Sequence, residues 1–407
     1  MTAIVGILNK KAAVMAADSA VTVINGKGAK IYNTATKIFS LSDEHPIGVM
    51  IYNSLEFMET PWDLIFSLYK KELGGKECKS VQEYAETFVR FLKNKDYFCH
   101  EDATECYLLQ ELSAYYAFVK ETAFSNEGWG EDDSAKVLEK LKKAISYITS
   151  MSWGEGVCDD FKGYKESKLL KISGDIFEDL EDALKEEHLP TDIMDDLQHG
   201  FFEYIRSKVF FQNTTTYTGI VFVGYGEKEI FPSLFPVIIG GVVDNRLKCN
   251  FDVEHAESIT YDNSAYIAPF AQGDVMLTMM KGIAPYLYTS ITGEVQLSME
   301  KAIRKFASRQ GITDEKKIAR EVEYIVEKFQ KEFEENLEDI IIEQYTSGIV
   351  DTVRWFNVED MVNMAESLIS ITNLQRHITS SEESVGGPTD VAVITKTGGF
   401  QWIKHKK

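Results

Sequence analysis

The sequence has few cysteines, and it has no long apolar segment. Its five cysteines are irregularly spaced and form no CxxC pair, which disfavours a disulfide framework and a cysteine metal site. No apolar run is long enough to span a bilayer, and the first residues lack the basic and apolar regions of a signal peptide. We therefore expect a cytoplasmic protein with free thiols and without a membrane partner.

Positive charge is also scarce, because 43 lysines and arginines stand against 64 aspartates and glutamates, a formal net charge of -21. Such a chain is a poor match for the phosphate backbone of nucleic acids. Its histidines are scattered without metal-ligand spacing, and no GxSxG, P-loop or dinucleotide motif occurs. The sequence therefore predicts no metal, no cofactor and no nucleic-acid partner.

What the chain does contain is ample material for a folded core, with 44% hydrophobic and 12% aromatic residues. Short apolar runs at 2–9 and 12–18 predict a β-hairpin, and two further strands are expected before a first helix. That helix is expected over 54–73, with a late start or a bend at Pro61. Residues 96–210 are charged and mostly helical. Strands return from residue 217. A helix interrupted at Gly282 and Pro285 is expected over 273–291, and a second charged helical stretch spans 294–345. The last elements are a helix to about residue 378 and two strands.

The second residue carries a candidate chemistry. Once Met1 is removed, Thr2 presents a hydroxyl and a free α-amine, which together form a nucleophile with its own base. Such a site also needs a nearby cation, a carboxylate that holds the cation, and backbone N–H groups for an oxyanion. Asp18 at the end of the second strand, Lys37 before a later strand, and the turn at Tyr52 and Asn53 could supply them. Taken singly, each residue is better explained as an ordinary strand-edge, turn or solvated surface position.

The N-terminal motifs resemble those of proteasome β subunits and related bacterial threonine peptidases. Thr2-Ala3-Ile4-Val5 is similar to the mature N-terminal strand of that family, Ala17-Asp18-Ser19 to its Asp-Ser motif, and Thr36-Lys37-Ile38 to its lysine strand. Further along the chain, the resemblance continues at 218–225, at 358–361 and at the turn 384–387. It implies an α+β fold, a four-layer αββα sandwich of the N-terminal nucleophile hydrolases with large helical insertions.

The resemblance also implies a division of the chain and a set of roles. The core would comprise residues 2–95, 211–291 and 357–407, with helical insertions at 96–210 and 292–356. Thr2, Asp18 and Lys37 would be catalytic. The expected oxyanion and supporting residues are Tyr52, Asn53, Ser19, Gln272, Glu382, Glu383 and Ser384. Tyr52 and Asn53 replace the family's usual Gly-Gly, Gln272 stands where the family has a serine, and Glu382 and Glu383 are alternatives for its supporting aspartate.

These expectations lead to a threonine-type protease or amidohydrolase that cleaves peptide bonds after removal of Met1. The resemblance further implies a ring-like homo-oligomer, with an ATPase or adaptor as an unidentified partner. Two alternatives remain open at this point. One is a catalytically inactive assembly or binding protein with the same fold, and the other is a small-molecule amidase.

Overall fold

The computed structural model describes residues 2–25, 28–93, 98, 100–124, 134–151, 156–186, 191–209, 211, 214, 216–312, 314–379 and 386–406. The chain divides into two compact units. The N-terminal unit comprises Met1–Thr34, Ile259–Val391 and Lys404–Lys407, and the central unit comprises Ala35–Ser258 and Ala392–Ile403.

The strands of the described residues are numbered in chain order. They are β1 (Ile4–Asn9), β2 (Ala13–Ala17), β3 (Val21–Asn25), β4 (Gly28–Tyr32), β5 (Ile38–Ser40), β6 (Ile47–Asn53), β7 (Glu56–Phe57), β8 (Thr60–Pro61), β9 (Thr218–Gly224), β10 (Ser233–Val243), β11 (Arg246–Phe251), β12 (Glu257–Ser258), β13 (Ala265–Phe270), β14 (Asp390–Thr395) and β15 (Gly399–Lys404).

The α-helices are numbered in the same way. They are α1 (Trp62–Leu73), α2 (Val81–Lys93), α3 (Glu101–Phe124), α4 (Ser134–Met151), α5 (Glu166–Ile172), α6 (Gly174–Glu186), α7 (Met194–Arg206), α8 (Asp274–Lys281), α9 (Pro285–Arg309), α10 (Glu315–Ile341), α11 (Ser347–Val353) and α12 (Val358–Thr379). A π-helical turn, Ile342–Thr346, joins α10 to α11. None of the helices in the described residues is both long enough and apolar enough to cross a bilayer.

In the N-terminal unit, β1 pairs antiparallel with β2 on one side and with β13 on the other. Helix α12 packs against β1 and β2, and α11 packs against β13. Every residue of β1 is buried, which explains why its sequence is continuously apolar rather than alternating. The polar exception is Asn9, whose side-chain amide donates to the carbonyls of Val353 (3.0 Å) and Phe356 (3.2 Å).

The central unit contains an antiparallel sheet with the order β11-β10-β9-β6-β5. Residues Ile47, Val49 and Ile51 of β6 point into an aromatic core that includes residues of α1 and α2. Trp62 stacks on Phe57 in this core, and its indole N–H donates to the Thr218 hydroxyl at 2.9 Å. Because the side chains of a strand alternate in direction, Met50 and Tyr52 lie on the opposite face of the sheet.

A second core of the central unit is formed mainly by α3, α4, α6 and α7. These helices lie within the predicted insertion at 96–210. This unit contains a buried ion pair, in which the Lys248 ammonium lies 3.2 Å from the Glu111 carboxylate and both side chains are at most 1% exposed. The predicted segment boundaries themselves stay a prediction.

Two predicted helices have the late start and the interruption that Pro61, Gly282 and Pro285 indicated. The helix expected from residue 54 begins at Trp62, because β7 and β8 form a small ladder first and Pro61 keeps the preceding backbone extended. The helix expected over 273–291 is two helices, since Gly282 ends α8 in a left-handed conformation (φ 69°) and Pro285 starts α9. A mixed α/β fold with antiparallel sheets is confirmed, and the finer four-layer arrangement stays a prediction.

Candidate active site at the start of the first strand

Thr2 lies two residues before the first pair of the β1 ladder, and it is 5% exposed. The backbone of its neighbour Ala3 is held by Asp18 through two hydrogen bonds. The Ala3 N–H donates to the Asp18 carboxylate (2.9 Å), and the Asp18 N–H donates to the Ala3 carbonyl (3.0 Å). The predicted proximity of Thr2 and Asp18 therefore follows from the hairpin, whose second strand returns to the beginning of the first. Met1 lies outside the described residues.

The Asp18 carboxylate accepts three backbone hydrogen bonds. Its Oδ1 accepts from Ala3, and its Oδ2 accepts from the N–H groups of Ala20 and Gly386, each at 3.3 Å. The residue is 1% exposed. Backbone donors cannot swing away as side-chain donors can, so the carboxylate has a fixed position beside the start of β1.

Ser19, next to Asp18, forms hydrogen bonds with a segment that is distant in the sequence. Its N–H donates to the Gly386 carbonyl (3.3 Å), and its hydroxyl donates to the Pro388 carbonyl (2.6 Å). The turn needs glycine at position 387, where φ is +74° and a Cβ would lie 2.8 Å from the Cβ of Asn33. The end of the predicted supporting turn thus contacts Asp18 and Ser19. Glu382, Glu383 and Ser384 lie outside the described residues.

Gln272 is at the same end of the sheet as Thr2. Strand β13 pairs with β1 as far as Phe270 opposite Ile4, so Gln272 follows that pair by two residues while Thr2 precedes it by two. Ala271, between Phe270 and Gln272, has a φ of 47°, a left-handed conformation that costs a non-glycine residue about 1 kcal/mol. The chain then enters α8, where Asp274 forms an ion pair with Arg376 of α12. Gln272 is half-buried, and its expected supporting role stays a prediction.

The other predicted site residues belong to the central unit. Lys37 immediately precedes β5, its side chain is fully buried, and its carbonyl accepts a hydrogen bond from the Ile51 N–H at 2.8 Å. An ammonium group in such a position requires electrostatic compensation. The role of Lys37 towards Thr2 stays a prediction.

Tyr52 and Asn53 end β6, and both side chains are engaged within the central unit. Asn53 has a φ of 71°, and its side-chain amide donates to the Tyr217 carbonyl at 2.8 Å. The Tyr52 ring covers Gly219, where a Cβ would lie 1.9 Å from a ring atom, so glycine is required opposite the tyrosine. Burial raises the pKa of the Tyr52 phenol well above its ordinary value, and electrostatic repulsion from Tyr217 and Asp252 adds smaller increases. Tyr52 is therefore a neutral group at physiological pH, and the oxyanion role of this turn stays a prediction.

The sequence analysis missed a cluster at the C-terminus. Asp390 is 1% exposed and accepts a hydrogen bond from the Lys406 N–H (3.0 Å), while the Lys406 ammonium lies 3.5 Å from the same carboxylate. The His405 ring is 3.3 Å from Asp390. Burial lowers the pKa of Lys406, and attraction to Asp390 and Asp18 opposes the shift. Lys406 thus contributes positive potential at Asp18. In the sequence, the basic residues at the end of the chain were the only indication of this cluster.

Among the described residues, cysteine chemistry is a poor alternative. The free cysteines among the described residues are Cys78, Cys106, Cys158 and Cys249. Burial raises the pKa of Cys158 to about 11 and that of Cys249 to about 12, so neither is a thiolate near neutral pH. Within the part of the chain that the structure describes, no group of three or more His, Cys, Asp or Glu side chains could hold a metal ion.

No family model matches this chain, and no curated protein matches it. Solved structures that match include Anbu (Gly-1) mutant from Hyphomicrobium sp. strain MC1, at 8% identity and a TM-score of 0.29, covering 100% of this chain and 86% of that one. Anbu (ancestral beta-subunit) from Yersinia bercovieri matches at 10% identity and a TM-score of 0.28, covering 100% of this chain and 88% of that one.

The expected membership of the threonine peptidase family of proteasome β subunits is therefore wrong. Neither a family model nor a curated relative supports it, and the matching solved structures named above are Anbu proteins with low TM-scores. The motifs around Thr2, Asp18 and Lys37 cover only a few positions. A short motif can resemble a family's pattern more easily than a whole chain can.

Proposed function

We propose that the chain is an N-terminal threonine hydrolase that cleaves amide bonds, in peptides first of all, after Met1 has been removed. The observation that carries the proposal is the fixed carboxylate of Asp18, which binds the N–H group of the residue next to Thr2. This contact orders the backbone of the nucleophile, and an ordered nucleophile is a principal requirement of covalent catalysis. The four-layer fold remains part of the same proposal.

In the proposed reaction, the Thr2 hydroxyl oxygen attacks the amide carbonyl carbon, and the Thr2 α-amine takes the hydroxyl proton. The tetrahedral oxyanion collapses, the carbon–nitrogen bond breaks, and the α-amine returns the proton to the departing amine. Water then attacks the threonine ester by the same route and releases the acid. Lys37 is proposed to keep the α-amine neutral, and the Tyr52 or Asn53 N–H to bind the oxyanion.

Burial of Asp18 and Ser19 also supports the proposal. Their links to Ala3, Gly386 and Pro388 join three separated segments of the chain around the start of β1. A buried carboxylate held this firmly can exert a directed electrostatic effect, because little reorganisation is needed during a reaction.

The direct test is mass spectrometry of the purified chain, before and after treatment with a threonine-directed electrophile. We expect a mass that lacks Met1 and a single adduct, which fragmentation maps to Thr2. Thr2→Ala should remove the adduct, and Lys37→Ala should slow its formation strongly. A chain that retains Met1, or an adduct elsewhere, would overturn the proposal and favour the inactive assembly protein.

A processed chain that forms the adduct can then be supplied with peptide amides and with small-molecule amides. Preference for the peptides supports the proposal as stated. Hydrolysis of small amides alone retains the chemistry but replaces the substrate class, which is the amidase alternative.

A further inference from the structure

Two buried aspartates of the N-terminal unit bind backbone N–H groups in the same way. Asp18, which follows β2, accepts from the Ala3 N–H at 2.9 Å. Asp390, the first residue of β14, accepts from the Lys406 N–H at 3.0 Å. Each of the two aspartates is 1% exposed. Asp390 therefore holds the end of the chain as Asp18 holds the start of β1.

The turn at 386–388 connects the surroundings of these two aspartates. The Gly386 N–H donates to the Asp18 carboxylate at 3.3 Å. The hydroxyl of Ser19 donates to the Pro388 carbonyl at 2.6 Å, and Asp390 follows Pro388 by two residues. A short segment of chain, fixed near both of its ends, thus places the Asp390 cluster close to Asp18.

The Lys406 side chain is enclosed among these groups. It is 13% exposed, and its ammonium lies 3.5 Å from the Asp390 carboxylate, on which the His405 ring also lies at 3.3 Å. Burial lowers the pKa of Lys406, whereas attraction to Asp390 and Asp18 favours its charged form. Lys406 therefore interacts electrostatically with both buried carboxylates.

The charge of Asp18 matters for the base of the proposed reaction. After removal of Met1, the Thr2 α-amine lies about 3–4 Å from the Ala3 nitrogen, which is itself bound to Asp18. A carboxylate at this short range favours the protonated amine, which cannot accept the hydroxyl proton. A cation near the same carboxylate opposes that effect, and Lys406 is a cation of the same unit.

We propose that Lys406 is a positioning residue that compensates the charge of Asp18 and thereby keeps the Thr2 α-amine neutral. Asp390 holds Lys406 in place for this role. Lys406 acts through Asp18 and does not contact the substrate, and its effect adds to the one proposed for Lys37. The inference rests on the proposed hydrolase function, because a neutral α-amine matters only if that amine is the base.

Competitive acetylation of the processed chain at several pH values tests the inference without relying on activity. Mass spectrometry of the N-terminal peptide gives the pH at which half of the Thr2 α-amine is neutral. In Lys406→Met this midpoint should rise by about 0.5 pH unit or more, because a nearby cation is lost. Lys406→Gln provides the same comparison with a polar side chain. Circular dichroism checks that each variant is folded.

Two further variants separate charge from packing. Lys406→Arg keeps the positive charge and should retain the wild-type midpoint. Lys404→Met removes the same charge from an exposed ion pair with Glu366, two residues away in the sequence, and should leave the midpoint unchanged. A shift of equal size in Lys404→Met would overturn the inference, because the effect would then be one of net charge.

The pH profile of kcat/KM for a peptide amide provides the second readout. Its acid limb should shift upward in Lys406→Met by the same amount as the midpoint, while the plateau at high pH stays unchanged. A purely structural role would lower the plateau without a shift and would overturn the inference.

The same measurements distinguish this inference from the proposed function. An unchanged midpoint in a folded, processed Lys406→Met chain overturns the inference alone. A raised midpoint in a chain that hydrolyses no amide supports the charge effect and overturns the proposed function. Retention of Met1, read from the intact mass, overturns both.

Discussion

Two buried carboxylates, one in each unit, are held in different ways. Asp18 accepts hydrogen bonds from the backbone N–H groups of Ala3, Ala20 and Gly386. Glu111 is held by side chains, since the Lys248 ammonium lies 3.2 Å away and the Thr216 hydroxyl donates to it. Burial alone therefore does not mark a functional carboxylate. The backbone contacts fix Asp18 to the residue beside Thr2, whereas the Glu111 contacts join α3 to β11.

The comparison also shows what each carboxylate does for its surroundings. Lys248 lies about 5 Å from the ring centres of Tyr204 and Phe211, so the charge pair is enclosed by aromatic groups. Such a pair is costly to break and contributes little chemistry, because its charges cancel locally. The Asp18 carboxylate instead joins the beginning of β1 to the turn at 386–388, and it attracts the Lys406 ammonium.

The largest expected effect concerns the nucleophile beside Asp18. Thr2→Ala should reduce amide hydrolysis at least about 1000-fold, because the attacking oxygen is lost. Thr2→Ser keeps the hydroxyl and should retain measurable activity. Initial rates with a fluorogenic peptide amide measure both, and equal activity of wild type and Thr2→Ala would contradict the assignment.

The second effect concerns the structural pair. Glu111→Gln should lower the free energy of unfolding by about 3–5 kcal/mol, because Lys248 is left buried without its counter-charge. The double variant Glu111→Leu/Lys248→Met, which removes both charges, should be much closer to wild type. Urea unfolding followed by circular dichroism measures this difference, and equal destabilisation of the two variants would argue against a paired interaction.

A smaller effect is expected at the carboxylate near Thr2. In Asp18→Asn the amide oxygen can still accept from Ala3, but the amide nitrogen cannot accept from Ala20 and Gly386, and the charge is lost. We expect about a 10- to 100-fold fall in kcat. Asp63→Asn, at an exposed position in α1, is the matched control and should leave kcat unchanged. If Asp18→Asn affects stability but not kcat, Asp18 is structural, as Glu111 is.

The smallest expected effect is a pH dependence of stability that comes from Lys406. Because burial lowers the pKa of Lys406, the folded chain binds fewer protons than the unfolded chain between that lowered pKa and about 10.4. Stability should therefore rise with pH within this window. Lys406→Met should remove the rise, and urea unfolding of both proteins at several alkaline pH values would reveal it. Parallel pH profiles would show that Lys406 does not titrate in this way.

Local sequence patterns predicted much of the secondary structure. The hairpin of β1 and β2, the apolar run of β9 and the start of α12 near Val358 all follow from short-range periodicity. The start of α1 was less predictable, because the ladder of β7 and β8 competes with helix over residues that also suit an amphipathic helix. Family membership could not be read from the motifs, since a few matching positions do not constrain a chain of 407 residues.

The sequence by itself determined that Asp18 lies beside the start of β1, because a tight hairpin brings the end of its second strand back to the beginning of the first. Only the tertiary structure decided which backbone groups hold the Asp18 carboxylate, and that the far C-terminus brings Lys406 and Asp390 together. Contacts such as that between Asp18 and Gly386 join residues hundreds of positions apart, and local patterns contain no information about such pairs.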